Sequence, residues 1–319
     1  MNGISNCAIL AIRDEAGLRL STWNSQPPWT VVRAVAGGRA VWRSAIAGLE
    51  SCGTVFRMSI LLVEHRDSIA LVRLNRPDKR NAISFQLLRE LDETARQLRR
   101  DHRLRAVILC GAGESFSSGI DLSDLAEPRH RLWAAWQLIK PGRSLFQQAF
   151  LTWQEMPVPV LAAVHGHCFG AGLQLALAAD IRFAAPDCQL SIMESRWGLV
   201  PDMGLTRSLR GVVHADVARE LTYTARIVRG DEAQPLGLVT HVTPDPLAAA
   251  MALAQEIAQR SPDAVLAAKR VLDAMQHQPR RALRLEKLWQ LRLLRGRNAA
   301  VARKRATDPE TPFAPREYD

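Results

Sequence analysis

Two continuous apolar stretches, LRAVILC at 104–110 and PVPVLAAVHG at 157–166, constrain the fold of this chain more than any other feature. Neither alternates between apolar and polar residues, as a strand with one face in water does. Each is short enough to be a strand, and each leads into a glycine-containing loop and then a helical pattern. Strands that are buried on both faces and followed by helices indicate an α/β fold.

The same alternation of strands and helices extends along most of the chain. SIALVRL (68–74) is another strand-like run, and Ser84 is a good N-cap for the helix that follows it. One apolar stripe recurs in that helix at helical spacing, formed by Leu87, Leu91, Ala95 and Leu98. We also predict a strand at 181–185 and then, after about residue 214, mostly helix, with the clearest segments at 247–260, 262–276 and 279–300.

Residues 1–57 differ from the rest of the chain. They hold three of the eight tryptophans but no sustained periodicity, and they lack the apolar core of a secretory signal. The second methionine, Met58, begins a stretch that reads as an ordinary protein start. We interpret residues 1–57 as an extension outside the fold, one explanation being a start codon placed too far upstream.

Composition limits the class of protein. No stretch approaches the roughly 18 uncharged apolar residues of a membrane span, and the five dispersed cysteines have no zinc spacing. They suggest free thiols in a reducing compartment, so we expect a cytoplasmic location. The net charge is +10, and residues 280–306 carry ten Lys/Arg and a single acid, Glu286. Composition favours the solvated faces of helices for this stretch, and an anion-binding rim is the alternative.

The loops FSSGID (116–121) and HCFGAGLQL (167–175) are candidates for chemistry. Each places backbone N–H groups at the start of a helix, where they have no intrahelical partner and lie at the positive end of the dipole. If the loops face each other, two N–H groups can converge on one oxygen and form an oxyanion hole. Spacing alone supports equally well two ordinary strand-to-helix turns that use glycine for backbone freedom.

Other catalytic and nucleotide motifs are incomplete. GAGLQL lacks the third glycine of the dinucleotide fingerprint, and the chain has no phosphate-binding P-loop and no G-x-S-x-G nucleophile elbow. We interpret Ser117 and Ser118 as turn formers, and His165 and His167 as structural histidines with hydrogen-bond partners.

Four motifs, taken in order along the chain, resemble those of the crotonase family, also called the enoyl-CoA hydratase/isomerase superfamily. They are LNRPDKRNAIS (74–84), SFSSGIDLSDL (115–125), AAVHGHCFGAGLQLALAADIRFAA (162–185) and SIMESRWGLVPDMG (191–204). The resemblance implies a spiral of ββα units at 58–250 and a C-terminal helical region at 251–319 for trimerisation and active-site covering. It further implies an acyl-CoA thioester substrate, a homotrimer or a dimer of trimers, and no separate cofactor or metal.

The resemblance also assigns roles to single residues. By position, the thioester oxygen would be held by the backbone N–H groups of Ile120 and Ala171. These fixed donors would stabilise the enolate that forms when a proton leaves the carbon next to a thioester. Lys79 and Arg80, beside the first motif, are candidates for contacts with the phosphates of CoA.

Two acids in the fourth motif carry the expected proton transfer. Family hydratases use one glutamate in the second loop and one in the catalytic segment. The former position is Gln174 here, which can orient a water or a substrate but cannot transfer a proton. The latter is Glu194, and Asp202 replaces the usual small residue eight positions later. This pair resembles the dienoyl-CoA isomerases, although the additional acid of that subgroup would fall at Gln174.

Three functions therefore remain at this point. A double-bond isomerase acting on enoyl- or dienoyl-CoA agrees best with Glu194 and Asp202, and a 2-enoyl-CoA hydratase is the alternative. From another class, the basic stretch 280–306 motivates an RNA-binding protein on the same scaffold, although motifs for base stacking or groove recognition are absent. Eight extended residues span roughly 26 Å, so the two acids can share a site only if 194–202 folds back. Gly198 and Pro201 make such a turn credible.

Overall fold

The computed structural model describes residues 10–14, 17–21 and 59–319. The two short segments form a hairpin by themselves, with β1 (Leu10–Asp14) antiparallel to β2 (Gly17–Ser21). Apart from this hairpin, residues 1–57 and the proposed start at Met58 lie outside the described residues, so their interpretation as an extension stays a prediction.

Two sheets lie within 59–319. The larger has six strands in the order β11-β8-β6-β5-β4-β3, and all neighbours are parallel except β3 and β4. The smaller has the order β10-β9-β7. The strands are β3 (Leu61–Arg66), β4 (Ile69–Leu74), β5 (Ala106–Gly111), β6 (Val160–Val164), β7 (His167–Phe169), β8 (Ile181–Ala184), β9 (Gln189–Ser191), β10 (Val228–Arg229) and β11 (His241–Val242).

Helices connect and cover these strands. They are α1 (Phe85–Arg99), α2 (Leu122–Ala126), α3 (Pro128–Ile139), α4 (Leu145–Gln154), α5 (Ala171–Leu177), α6 (Leu205–Ser208), α7 (Ala215–Thr224), α8 (Gly230–Ala233), α9 (Pro246–Ala258), α10 (Pro262–His277), α11 (Pro279–Arg295) and α12 (Arg297–Lys304). Single 3₁₀ turns span Pro77–Lys79 and Glu194–Trp197. The runs β3–β4–α1 and β6–β7–α5 each follow the order strand, strand, helix, as expected for ββα units.

Helix α1 forms as its sequence predicts. The Ser84 hydroxyl accepts a hydrogen bond from the Leu87 amide at 3.1 Å, and this bond satisfies one of the free donors of the first turn. The predicted apolar stripe is fully inside, since Leu87, Leu91, Ala95 and Leu98 are all buried.

The larger sheet is covered on both faces, which explains why its central strands are apolar throughout. One face joins the main core with α1 and α4. The opposite face packs against α9, where Ala250 and Ala254 are fully buried one turn apart and let the helix approach the strands closely. The predicted α/β class with a helical C-terminal region is confirmed, and its main sheet is mostly parallel.

The C-terminal helices dock at the amino ends of the central strands. Lys269 of α10 is buried and donates to Asp180 Oδ2 at 2.7 Å and to the Val158 carbonyl at 3.1 Å. Asp180 directly precedes β8, and Val158 lies two residues before β6. The predicted single helix at 279–300 is wrong in one respect: Gly296 adopts an extended conformation, with φ −75° and ψ 151°, and separates α11 from α12.

Replacing Lys269 with methionine should destabilise the protein. The change would keep the length of the side chain but leave the Asp180 carboxylate and the Val158 carbonyl without their buried cation. Asp180 keeps contact with water and with the Val160 amide, so the expected cost is that of one hydrogen bond to a charged group, about 2 kcal/mol. Urea unfolding measures the change, and Lys304→Met is the control, because Lys304 and Asp308 lie 3.8 Å apart and are mostly exposed. Equal effects of the two substitutions would contradict the expected anchoring role.

None of the helices in the described ranges is long and apolar enough to cross a membrane.

Candidate active site

The two glycine-containing loops lie side by side at the carboxyl ends of β5 and β6. Ser117 and Cys168 form a parallel bridge, in which the Ser117 amide donates to the His167 carbonyl at 2.9 Å and the Phe169 amide donates to the Ser117 carbonyl at 3.0 Å. Gly172 permits this approach, since a Cβ there would lie 2.7 Å from the Ser117 Cβ. The loops therefore face each other, as the oxyanion-hole hypothesis requires.

The amides of Ile120 and Ala171 are both available as donors. The bridge between Ile83 and Ile120 does not use the Ile120 amide. The Ile83 amide donates to the Gly119 carbonyl, and the Ile83 carbonyl accepts from the Asp121 amide. Ala171 is the first residue of α5, whose amide has no intrahelical acceptor. Within 59–319 neither amide hydrogen is used in a hydrogen bond.

Two glycines hold these amides near each other. Gly119 has φ +102°, and a Cβ on it would lie 3.9 Å from the Ala171 nitrogen and 3.0 Å from the Phe169 carbonyl oxygen. Gly170 has φ +47° and ψ −117°, a conformation that side chains disfavour. The left-handed region and the close contact together explain why glycine precedes each candidate donor.

The segment 194–202 folds back as predicted. Glu194–Trp197 is a 3₁₀ turn that ends at Gly198 with φ +70°, and the Leu199 amide donates to the Glu194 carbonyl at 3.0 Å. The chain reverses at once and brings Asp202 close enough for its charge to act on Glu194. Glycine is favoured at this left-handed position, and Pro201 lies in the segment that returns.

Gln174 connects the two ends of this segment. Its side-chain amide donates from Nε2 to Glu194 Oε1 at 2.6 Å, and its Oε1 accepts from the Met203 amide at 3.0 Å. A Cβ on Gly170 would lie 3.2 Å from Glu194 Oε1, so the carboxyl group lies beside the residue that precedes Ala171. The other oxygen, Glu194 Oε2, is buried and makes no hydrogen bond with any described residue.

Both acids have raised pKa values. Burial raises the pKa of Glu194 and the charge of Asp202 adds to the effect, whereas hydrogen bonds from its own amide and from Gln174 act in the opposite direction. Burial also raises the pKa of Asp202, against one hydrogen bond from its own amide. Partial removal from water is the main physical cause in each case, because it disfavours the charged form.

The first motif borders the same loops. Lys79 and Arg80 are exposed, and the Ser118 amide donates to the Arg80 carbonyl at 2.9 Å, two residues before Ile120. Arg76 forms a half-buried ion pair with Asp121 at 2.8 Å. Burial opposes ionisation of Asp121, yet hydrogen bonds from Ser123 and Arg76 hold its pKa below the ordinary value.

The serines and histidines of the loops have structural partners, as predicted. Ser117 Oγ donates to the Asn81 carbonyl at 2.9 Å and accepts from the Gly119 amide at 3.2 Å. His167 Nδ1 lies 2.9 Å from Ser115 Oγ, and His165 Nε2 lies 2.9 Å from the Gly113 carbonyl.

Sequence reasoning missed two contributors. The first is the backbone amide of Met203, which carries no side-chain signal and becomes relevant only when the chain reverses. The second is Arg76 in RPDKRN. Its ion pair with Asp121 can be predicted only once this motif and the first loop are known to be adjacent. Among the described residues, no group of His, Cys, Asp and Glu could hold a metal ion.

Comparison with known proteins identifies the family to which this arrangement of loops and acids belongs. The model of the family described as Enoyl-CoA hydratase/isomerase matches residues 64–291. The chain belongs to this family. Two relatives in it share the name Delta(3,5)-Delta(2,4)-dienoyl-CoA isomerase, mitochondrial. The protein from Pongo abelii is 35% identical over 261 residues, which cover 78% of this chain and 79% of the relative. The protein from Homo sapiens is 34% identical over 294 residues, 89% of each chain.

A solved structure extends this agreement to the fold of the enoyl-CoA hydratase/isomerase family. The enoyl-CoA hydratase from Bacillus anthracis superposes with a TM-score of 0.74 at 28% identity and covers 81% of this chain and 100% of its own. The predicted crotonase-like fold is thus confirmed. This member of the family is an enzyme, and its similarity to relatives named as isomerases favours isomerisation over hydration.

Proposed function

We propose that this crotonase isomerises dienoyl-CoA, moving a 3,5-diene into the 2,4-position conjugated with the thioester. One observation carries the proposal: Glu194, beside Gly170, and Asp202, near enough for its charge to act on Glu194, are two carboxyl groups with raised pKa values, while the third polar residue, Gln174, cannot take up a proton. A double-bond shift needs one group that removes a proton and one that returns it.

The thioester oxygen would accept hydrogen bonds from the amides of Ile120 and Ala171. Glu194 Oε2 then takes a proton from C2, and the electron pair of the C–H bond moves into the thioester to form an enolate. Two fixed donors stabilise that negative charge, each by about 3–4 kcal/mol in comparable sites. We assign Glu194 as the base because its carboxyl group lies beside Gly170, which directly precedes one of the two donors.

Return of a proton at C6 completes the shift. The electrons of the extended enolate move outward, the C3–C4 and C5–C6 double bonds become C2–C3 and C4–C5, and C6 takes the proton from Asp202. No net proton is consumed, since the one gained by Glu194 balances the one lost by Asp202, and exchange with water returns both carboxyl groups to their starting states before the next turnover. Raised pKa values support both roles, because a carboxyl group that titrates nearer neutrality can be base at one step and acid at the next.

The remaining predicted residues fit an acyl-CoA thioester. The exposed cations Lys79 and Arg80 lie beside Ser118 at the rim of the first loop, where they could pair with the phosphates of CoA. CoA is part of the substrate, so this scheme needs no further cofactor.

A panel of three substrates tests the proposal. We expect the enzyme to convert 3,5-dienoyl-CoA, followed by the ultraviolet absorbance of the new conjugated system, faster than it converts 3-enoyl-CoA or hydrates 2-enoyl-CoA. Consumption of 2-enoyl-CoA alone would make the protein a hydratase and refute the isomerase proposal. Salt-sensitive RNA binding that persists in saturating CoA, with no turnover of any acyl-CoA, would instead support the nucleic-acid alternative.

A further inference from the structure

Both the nitrogen and the oxygen of the Gln174 side-chain amide hydrogen-bond to protein, rather than being held free to orient a substrate as its sequence position suggests. It is 1% exposed and lies on α5 one turn after Ala171. Its carbonyl oxygen accepts from the Met203 amide, and one of its N–H bonds is directed to Glu194. Both ends of the amide therefore face protein rather than the space beside the loops.

We propose that Gln174 is a positioning residue that fixes both acids, by holding Glu194 Oε1 and the Asp202–Met203 peptide at the two ends of one amide. This inference rests on the proposed function for its kinetic consequences but not for its geometry. The amide can sit in only one orientation: a flip would turn its oxygen toward a carboxylate and its N–H bonds toward the Met203 donor. The contact thus selects Glu194 Oε2, the buried oxygen without a partner, as the one that moves the proton.

The hydrogen bond from Gln174 also affects the protonation state of Glu194. A hydrogen bond from a neutral N–H group stabilises the ionised form of Glu194 and works against the burial that raises its pKa. The other titratable group that acts on Glu194 is Asp202, whose charge has the opposite effect. Without the Gln174 amide, Glu194 would need a higher pH to ionise.

Two substitutions separate positioning from packing. Gln174→Met keeps the approximate volume but removes both hydrogen bonds. We expect kcat/KM at neutral pH to fall about 10- to 100-fold, the effect of losing a hydrogen bond to a charged group. We further expect the acid limb of the pH profile to move to higher pH. A residue that only fills space would lower the rate without moving that limb.

Gln174→Glu should move the profile in the opposite sense. While it is protonated, the new carboxyl group can still donate to Glu194 and accept from the Met203 amide, so the variant should retain activity at low pH. Once the shared proton leaves, two carboxylates face each other at the distance of the present 2.6 Å contact. A new loss of activity on the alkaline side is therefore expected, and this isosteric variant also serves if Gln174→Met fails to fold.

A matched control and a second readout keep the outcomes distinct. Gln148→Met removes a glutamine in α4 that donates to Thr152 at 2.8 Å, away from the two loops, and should leave the pH profile unchanged. Titration of ¹³C-labelled glutamate by NMR follows Glu194 without any substrate. A Glu194 titration that moves to higher pH in Gln174→Met supports the positioning role even if the wild type converts no dienoyl-CoA, which would refute only the proposed function. Unmoved titration and profile in an active enzyme would overturn the positioning role.

Discussion

Glu194→Gln is expected to lower the rate of dienoyl-CoA isomerisation by about 10²- to 10⁴-fold, the usual contribution of a positioned general base. The substitution keeps an oxygen at Oε1 that can accept from Gln174, so the geometry of the site should persist. What it removes is the ability of Oε2 to take the C2 proton. Conversion of 3,5-dienoyl-CoA, followed by ultraviolet absorbance, measures the loss. Glu256→Gln, a change on the exposed side of α9, should retain the wild-type rate.

The Tm of Glu194→Gln shows whether a loss of activity comes from the missing base or from a folding defect. Because the pKa of Glu194 is raised in the folded state, the folded protein binds a proton more tightly than the unfolded chain does. Its stability therefore falls as pH rises from the ordinary glutamate pKa through the raised one. The neutral glutamine avoids this cost, so the Tm of Glu194→Gln should exceed that of the wild type at neutral pH. The difference should vanish at acid pH. An inactive variant with a lower Tm at neutral pH would point to a folding defect instead.

Local chemistry explains which parts of the fold could be predicted from sequence. The Ser84 cap, the apolar stripe of α1 and the all-apolar strands β5 and β6 depend on neighbours within a few residues along the chain. The turn at Gly198 was predictable for the same reason, since a glycine between two acids permits the left-handed conformation that reverses the chain. Each of these elements formed where its pattern predicted, within a few residues.

Contacts between distant segments explain what could not be predicted. The bridge between Ser117 and Cys168 joins loops that follow different strands, and no residue type marks it in either loop. The role of Gln174 depends on a backbone amide 29 positions away, and a backbone amide is present at nearly every residue. Lys269 meets Asp180 across 89 positions, so α10 could be predicted as a helix but not placed against the sheet.

One physical account explains why both acids of the mostly apolar segment 191–204 have raised pKa values. Burial destabilises their charged forms, and hydrogen bonds offset only part of that cost, which leaves both pKa values raised. Glu155 provides a contrast. It is also half-buried, but its ion pairs with Arg143 and Arg207 hold its pKa below the ordinary value. Incomplete compensation at Glu194 and Asp202 agrees with the proton transfers proposed for them, since functional acids and bases commonly have shifted pKa values.

Asp202→Asn should reduce isomerisation by about 10²-fold while leaving the first proton transfer intact. If Asp202 returns the proton at C6, the variant cannot protonate the enolate there. The enolate can then only take a proton back at C2 from Glu194. In D₂O the variant should therefore still exchange the C2 protons of 3,5-dienoyl-CoA, observed by NMR, although little 2,4-dienoyl-CoA forms. Glu194→Gln should lose both exchange and isomerisation.

The comparison of exchange with isomerisation decides between roles for Asp202. Asparagine has nearly the same shape and can still occupy the turn between Pro201 and Gly204, so a turn former would tolerate the change with little effect on either rate. Equal loss of exchange and isomerisation would assign Asp202 to the first step and refute the division of labour between the acids. Retained exchange with lost isomerisation is the result expected only if one carboxyl group acts at each end of the conjugated system.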